Sequence, residues 1–287
     1  MFPNQNVVPQ FPADRYVDVG TVKTRYWDEG QGSPLVLVHG FGDSVSTWSR
    51  VIGPLAEHHR VVALDVLGAG RTDKPKEAMP FSRLARFVHD FMDALEIERA
   101  NVLGQSMGGA IVLDLAIQWP EKVDKLVLVD SAGLGREMSI DLRVCTLPVL
   151  GWFLTRTSRR QTGSFLRKTV YDPSLISEAM VESFCELGTL PGAHAAMLSW
   201  LRNNADFGGW REDVVRPVVD KLGSITAPTL IFWGRQDRII PVAHSAVAER
   251  GIRGARLHIF DPCGHVPQLE WPEEFGSLVI DFLSKLE

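Results

Sequence analysis

Asn101-Val102-Leu103-Gly104-Gln105-Ser106-Met107-Gly108-Gly109-Ala110-Ile111-Val112 sets a serine between glycines, at the joint of two apolar runs. Asn101 to Leu103 reads as a short buried strand. Ala110 to Ile117 is apolar on most sides and reads as a buried helix. Exposing a nucleophilic hydroxyl at a strand-to-helix turn requires a sharp backbone bend, and flanking glycines let neighbouring elements approach it. The helix N-terminus then aims free N–H groups and the positive end of its dipole at the place where an anion would develop.

Outward from this joint, strand-like and helix-like segments alternate. Tyr16–Val19 and Lys23–Trp27 form a ribbon joined at Gly20. Strands are expected at Leu35–Val38, Val61–Leu64 and Val123–Val129, with helices at Trp48–Glu57 and Ser82–Leu95. From about Gly135 to Ser224 the rhythm gives way to irregular helical sequence broken by Pro148, Pro173, Pro191 and Pro217. It resumes with strands at Thr229–Trp233 and Leu257–Phe260 and helices at Val242–Arg250 and Trp271–Leu286. The expected architecture is an α/β fold with a mostly parallel sheet, its core formed by residues 1–134 and 225–287. Residues 135–224 are expected to form a helical cap.

The 287 residues are 45% hydrophobic and 23% charged, as in an ordinary globular protein, and the formal net charge of −5 excludes the basic face a nucleic-acid partner needs. Cys145, Cys185 and Cys263 are few and widely spaced, which fits reduced thiols and a cytoplasmic location. Met1 to Pro12 has no basic start and no apolar run, unlike a secretory signal. No stretch is apolar and long enough to span a membrane. No cluster has metal-ligand spacing, so neither metal nor cofactor is expected.

A serine nucleophile needs a base and a group to orient it. In an open parallel sheet such groups gather beyond the C-terminal strand ends. Asp237 follows the strand at Thr229–Trp233, and His265 follows the strand at Leu257–Phe260. The order Ser106, Asp237, His265 suits this kind of fold. Asp130 also ends a strand and is the competing acid, whereas Asp261 is placed to shape its turn. His39 reads as a loop support and Asp65 as a turn stabiliser.

His39-Gly40-Phe41-Gly42, Asp65-Val66-Leu67-Gly68-Ala69-Gly70, Gly104 to Gly109, and the Asp237 and Gly264-His265 loops together resemble the α/β-hydrolase superfamily along nearly the whole chain. The likeness is greatest to cap-bearing esterases and carbon–carbon bond hydrolases. It implies an oxyanion hole made by the backbone N–H groups of Phe41 and Met107. The expected activity is cofactor-free hydrolysis of a small-molecule carboxylic ester with an apolar part, through an acyl-enzyme. Substrate contacts are expected from Trp152, Phe153, Trp200 and Val266. The alternatives are a meta-cleavage-product type carbon–carbon hydrolase with the same triad, or a slow-turnover ligand sensor. Two residues depart from the carbon–carbon pattern: Val266 stands where that subfamily carries tryptophan, and Thr47-Trp48 offers the tryptophan of its asparagine–tryptophan pair without the asparagine. Arg156, Arg159, Arg160, Arg167 and Lys168 read as a solvated basic face.

Overall fold

A computed structural model describes residues 11–285. The proline-rich lead-in expected at the N-terminus lies outside these residues up to position 10. Eight strands, β1 (Arg15–Val19), β2 (Val22–Glu29), β3 (Pro34–Val38), β4 (Arg60–Leu64), β5 (Ala100–Gln105), β6 (Val123–Val129), β7 (Thr229–Gly234) and β8 (Arg256–Phe260), form one sheet in the order β1-β2-β4-β3-β5-β6-β7-β8. Among the described strands of this sheet, β2 alone runs opposite to the other seven.

The continuous apolar strands are buried on both faces, as helix-covered parallel sheets require. Val36, Val38, Val102, Leu126 and Leu128 point into one core, against α2 (Phe81–Ala94) and α3 (Met107–Gln118). Their alternates Leu35, Leu37, Leu103, Val127 and Val129 point into the other, with α1 (Ile52–Ala56) and α12 (Pro272–Ser284).

The register sets the strand ends level. Val38 pairs with both Leu64 and Gly104, Gln105 with Val129, Val129 with Phe232, and Gly234 with Phe260. His39, Asp65, Ser106, Asp130, Asp237 and His265 therefore all leave the sheet along one edge.

The irregular segment between β6 and β7 is a helical insertion: α4 (Ile140–Cys145), α5 (Pro148–Leu154), α6 (Arg159–Thr169), α7 (Glu178–Gly188) and α8 (Ala193–Asn204). A two-residue ladder follows, Ala205–Asp206 against Gly209–Trp210. Towards the end of the expected cap, α9 (Glu212–Val219) packs on α3 and α10 (Ser245–Gly251). Its Val215 and Val218 belong to the same core cluster as α3. Pro217 does not end this helix. The insertion is fastened by buried Asn204, which accepts from Phe81 N at 2.9 Å and donates to Met79 O at 3.1 Å. Among the described residues no helix is long and apolar enough to cross a membrane.

Candidate active site

Ser106 sits at φ 55°, ψ −116° between β5 and α3. Positive φ is strained for a residue with a Cβ, and it persists only where the surroundings enforce it. Here the backbone is held on both sides: Ser106 N donates to Val129 O at 2.8 Å, and Ser106 O accepts from Ala132 N at 2.9 Å. Two glycines make the geometry fit. A Cβ on Gly108 would lie 2.1 Å from Val38 O, and one on Gly40 would lie 2.3 Å from Gln105 Oε1 and 3.0 Å from the Ser106 Cβ. The loop after β3 thus lies directly against the serine. Met107 opens α3, so its N–H is one of the helix's unpartnered first-turn donors.

His39 holds this loop. Its Nε2 accepts from Val66 N at 3.0 Å, which leaves Nδ1–H to donate to Gly40 O at 2.8 Å. Burial lowers the imidazole's affinity for a second proton, so His39 is a neutral brace. Asp65 is the anchor beneath, accepting from Val45 N at 2.8 Å and Arg71 N at 2.7 Å.

Asp237 and His265 meet directly: His265 Nδ1 lies 2.7 Å from Asp237 Oδ2. The Asp237 side chain is fully buried, and its other oxygen accepts from Ile239 N at 2.7 Å and Ile240 N at 3.1 Å. The acid and base loops are stitched together by Gln236, which accepts from Cys263 N and donates to Asp261. Asp261 also pairs with Arg235. Gln105, beside the serine, donates to His265 O at 3.0 Å and ties the base loop to the nucleophile strand. Among the described residues the Ser106 hydroxyl makes no hydrogen bond of ordinary distance and angle. Such contacts commonly tighten only when substrate enters.

Three supports were not anticipated from the sequence. Gln105 is one. Glu270, on α11 (Pro267–Glu270), is another: it accepts from Gly264 N at 2.8 Å and from Tyr171 N at 2.7 Å, joining the base loop to the insertion. Burial raises its carboxyl above the ordinary range, against the pull of these donors. His265 N also donates to Thr169 O at 2.6 Å. The remaining signal was faint, a lone acid in an apolar Val266–Trp271 segment.

Asp43 is the third. Half-buried in the loop after β3, it accepts from Ser44 N at 2.8 Å, and burial pushes its carboxyl up to about 7. In the unfolded chain this group ionises from the ordinary 3.8 upward. Folding stability attributable to it therefore falls as pH rises from about 4 to about 7. Asp43→Asn keeps the acceptor and should raise stability at pH 8, by up to about 4 kcal/mol for a shift of this size, the gain vanishing towards pH 4. Thermal unfolding at the two pH values checks this.

The four expected substrate contacts are placed differently. Trp200 is buried, donating from Nε1 to Leu67 O at 3.2 Å, with its ring 6.2 Å from that of Phe41. Val266 is partly buried against the Leu166, Val170 and Val181 cluster of the insertion. Trp152 and Phe153 are instead surface residues, 43% and 57% exposed, packed on each other. Their helix buries Gly151, where a Cβ would lie 2.0 Å from Cys145 O, so the following two positions turn outward. The expected basic face is paired with acids: Arg159 with Glu178 and Glu182, Arg167 with Glu178, and Lys168 with Asp141.

An alpha/beta hydrolase fold family profile matches residues 33–272, and the chain belongs to that family. It is related to meta-cleavage product hydrolases. It is 33% identical over 279 residues to a 2-hydroxy-6-oxo-6-(2'-aminophenyl)hexa-2,4-dienoic acid hydrolase of Metapseudomonas resinovorans, covering 95% of this chain and 91% of that one. It is 34% identical over 281 residues to a 2-hydroxymuconate semialdehyde hydrolase of Pseudomonas sp. strain CF600, covering 95% and 94%. Among solved structures, a meta-cleavage product hydrolase from Pseudomonas fluorescens IP01 superposes with a TM-score of 0.81 at 28% identity, covering 94% of this chain and 97% of that one.

Proposed function

We propose that this hydrolase works through a covalent intermediate on Ser106, with His265 as base and Asp237 holding the imidazole tautomer. We further propose that its substrate is a 2-hydroxy-6-oxo-dienoate cleaved at a carbon–carbon bond. The carrying observation is the 2.7 Å Asp237–His265 pair on the same sheet edge as the strained serine. Full-length similarity to relatives named for dienoate and semialdehyde hydrolysis favours this substrate class over an ester.

In this mechanism His265 takes the Ser106 proton as the oxygen attacks the 6-oxo carbon. The N–H groups of Phe41 and Met107 receive the resulting oxyanion. The 2-hydroxyl first gives up its proton as C5 gains one, forming the 2-oxo-3-ene tautomer. Collapse then breaks the C5–C6 bond, and its electron pair passes through the alkene into the 2-oxo group as a dienolate that takes the proton from His265. Water activated by the same histidine then releases the acyl group as an acid. The helical insertion acts as the cap that closes over the reacting groups, with Trp200 and Val266 the expected substrate contacts that remain near them.

Ester hydrolysis is the second reading, and particular residues favour it. Val266 and Thr47 stand where the carbon–carbon pattern differs. The insertion's Arg159, Arg167 and Lys168 are engaged by acids rather than offered to a carboxylate.

Turnover of 2-hydroxy-6-oxo-6-phenylhexa-2,4-dienoate, followed by loss of dienolate absorbance, is to be compared with turnover of p-nitrophenyl butyrate. The proposal expects kcat/KM at least tenfold higher for the dienoate. The reverse order would assign an esterase. Slow turnover of both, with the serine still reactive, would assign a sensor.

A further inference from the structure

Asp130 leaves the sheet between Ser106 and Asp237, because β6 lies between β5 and β7 and adjacent strands run ~4.8 Å apart. Its backbone, at φ 46°, bends sharply into the same edge and is fixed by Asp130 N donating to Phe232 O at 3.0 Å. The side chain is fully buried. Oδ1 accepts from Gly234 N at 2.9 Å, while the buried Oδ2 has no hydrogen-bond partner among the described residues. A carboxylate oxygen of Asp130, one of Asp237 and a ring nitrogen of His265 lie within 4.8 Å of one another.

Two buried carboxylates this close cannot both ionise cheaply beside a third, Glu270. Asp237 has four stabilising partners for a negative charge: the His265 ring, two backbone N–H groups and, if protonated, Asp130. Asp130 has one backbone donor and no cation. The charge therefore belongs on Asp237 and the proton on Asp130.

We propose that Asp130 is a neutral carboxylic acid whose Oδ2–H donates to Asp237, making it a positioning residue that aims the orienting carboxylate at His265. Burial, reinforced by the negative charges of Asp237 and Glu270, pushes the Asp130 carboxyl well above the usual range, in keeping with this assignment. The titratable groups facing it are Asp237, His265, Glu270 and the Cys263 thiol, which burial keeps protonated. An unpartnered oxygen in a sealed site is costly, and a donated hydrogen bond to an anion removes that cost for both carboxyls.

The inference rests on Asp237 being the orienting acid of the reading above, but its test reads the imidazole directly. The ring titration of His265 is followed by NMR in wild type, Asp130→Asn and Asp130→Leu, alongside kcat and KM. Asparagine retains an acceptor for Gly234 N and an N–H donor for Asp237. With a neutral Asp130, the Asp130→Asn midpoint moves by less than ~0.3 pH unit and kcat falls less than tenfold, whereas Asp130→Leu loses more than tenfold in kcat with KM little changed. A fall of about one pH unit or more in the Asp130→Asn midpoint means that a negative charge was removed from beside the ring, and overturns the proposal. Should Asp130→Leu fail to fold, the asparagine titration decides alone. Absence of turnover on every carbonyl substrate would sink the hydrolytic reading, while the titration would still report the charge on Asp130.

Discussion

Replacing Ser106 by Ala is expected to lower kcat on the order of 10⁶-fold and to leave the fold intact. The alanine keeps the Cβ and the backbone bonds to Val129 O and Ala132 N, so the elbow at φ 55° is strained to the same degree as before. Only the hydroxyl is lost, and with it the atom proposed to form the covalent bond. Water delivered to the same pocket lacks the serine's fixed approach, and that orientation accounts for much of the loss. Circular dichroism and thermal unfolding unchanged from wild type would establish that the fold survives. Activity above a few per cent would show that another group attacks.

Asp237→Asn has the second largest effect, a fall in kcat of about 10⁴-fold. Asp237 Oδ1 is held by Ile239 N and Ile240 N, so an asparagine keeps its carbonyl there and presents its NH₂ where Oδ2 met His265 Nδ1. A donor facing Nδ1 favours the tautomer with the proton on Nε2, the nitrogen that must accept the serine proton. The imidazolium formed during reaction also loses its counter-charge. KM should change little because Asp237 is sealed from the pocket, its side chain having no exposed surface. Loss confined to KM would place Asp237 outside the chemistry.

Much of this was readable before any coordinates. The strands at Leu35–Val38 and Val123–Val129 announced themselves because burial on both faces demands unbroken apolar sequence, and they lie at or within a residue of those positions. Level strand ends then put Ser106, Asp237 and His265 on one edge, so their grouping followed from topology. The insertion was harder. Its helices are short and irregular, and the outward turn of Trp152 and Phe153 depends on Gly151 having no room for a Cβ beside the Cys145 backbone, a fit no periodicity encodes. Pro217, read as an interruption, lies inside α9, since a proline so near the C-terminus of a short helix leaves few bonds to break. His59 is buried with its Nδ1 2.9 Å from Ser33 Oγ, a contact between residues 26 positions apart that no local pattern shows. Glu270 and Gln105 serve backbone groups distant in sequence, and such tertiary partnerships leave no local trace.

Activation of Ser106 for covalent attack is open to a direct measurement. Mass spectrometry after treatment with a fluorophosphonate probe, in wild type and Ser106→Ala, measures this directly. A single adduct mapped to Ser106, abolished in Ser106→Ala, is the expected result. An adduct on another residue, or equal labelling of both proteins, would contradict it.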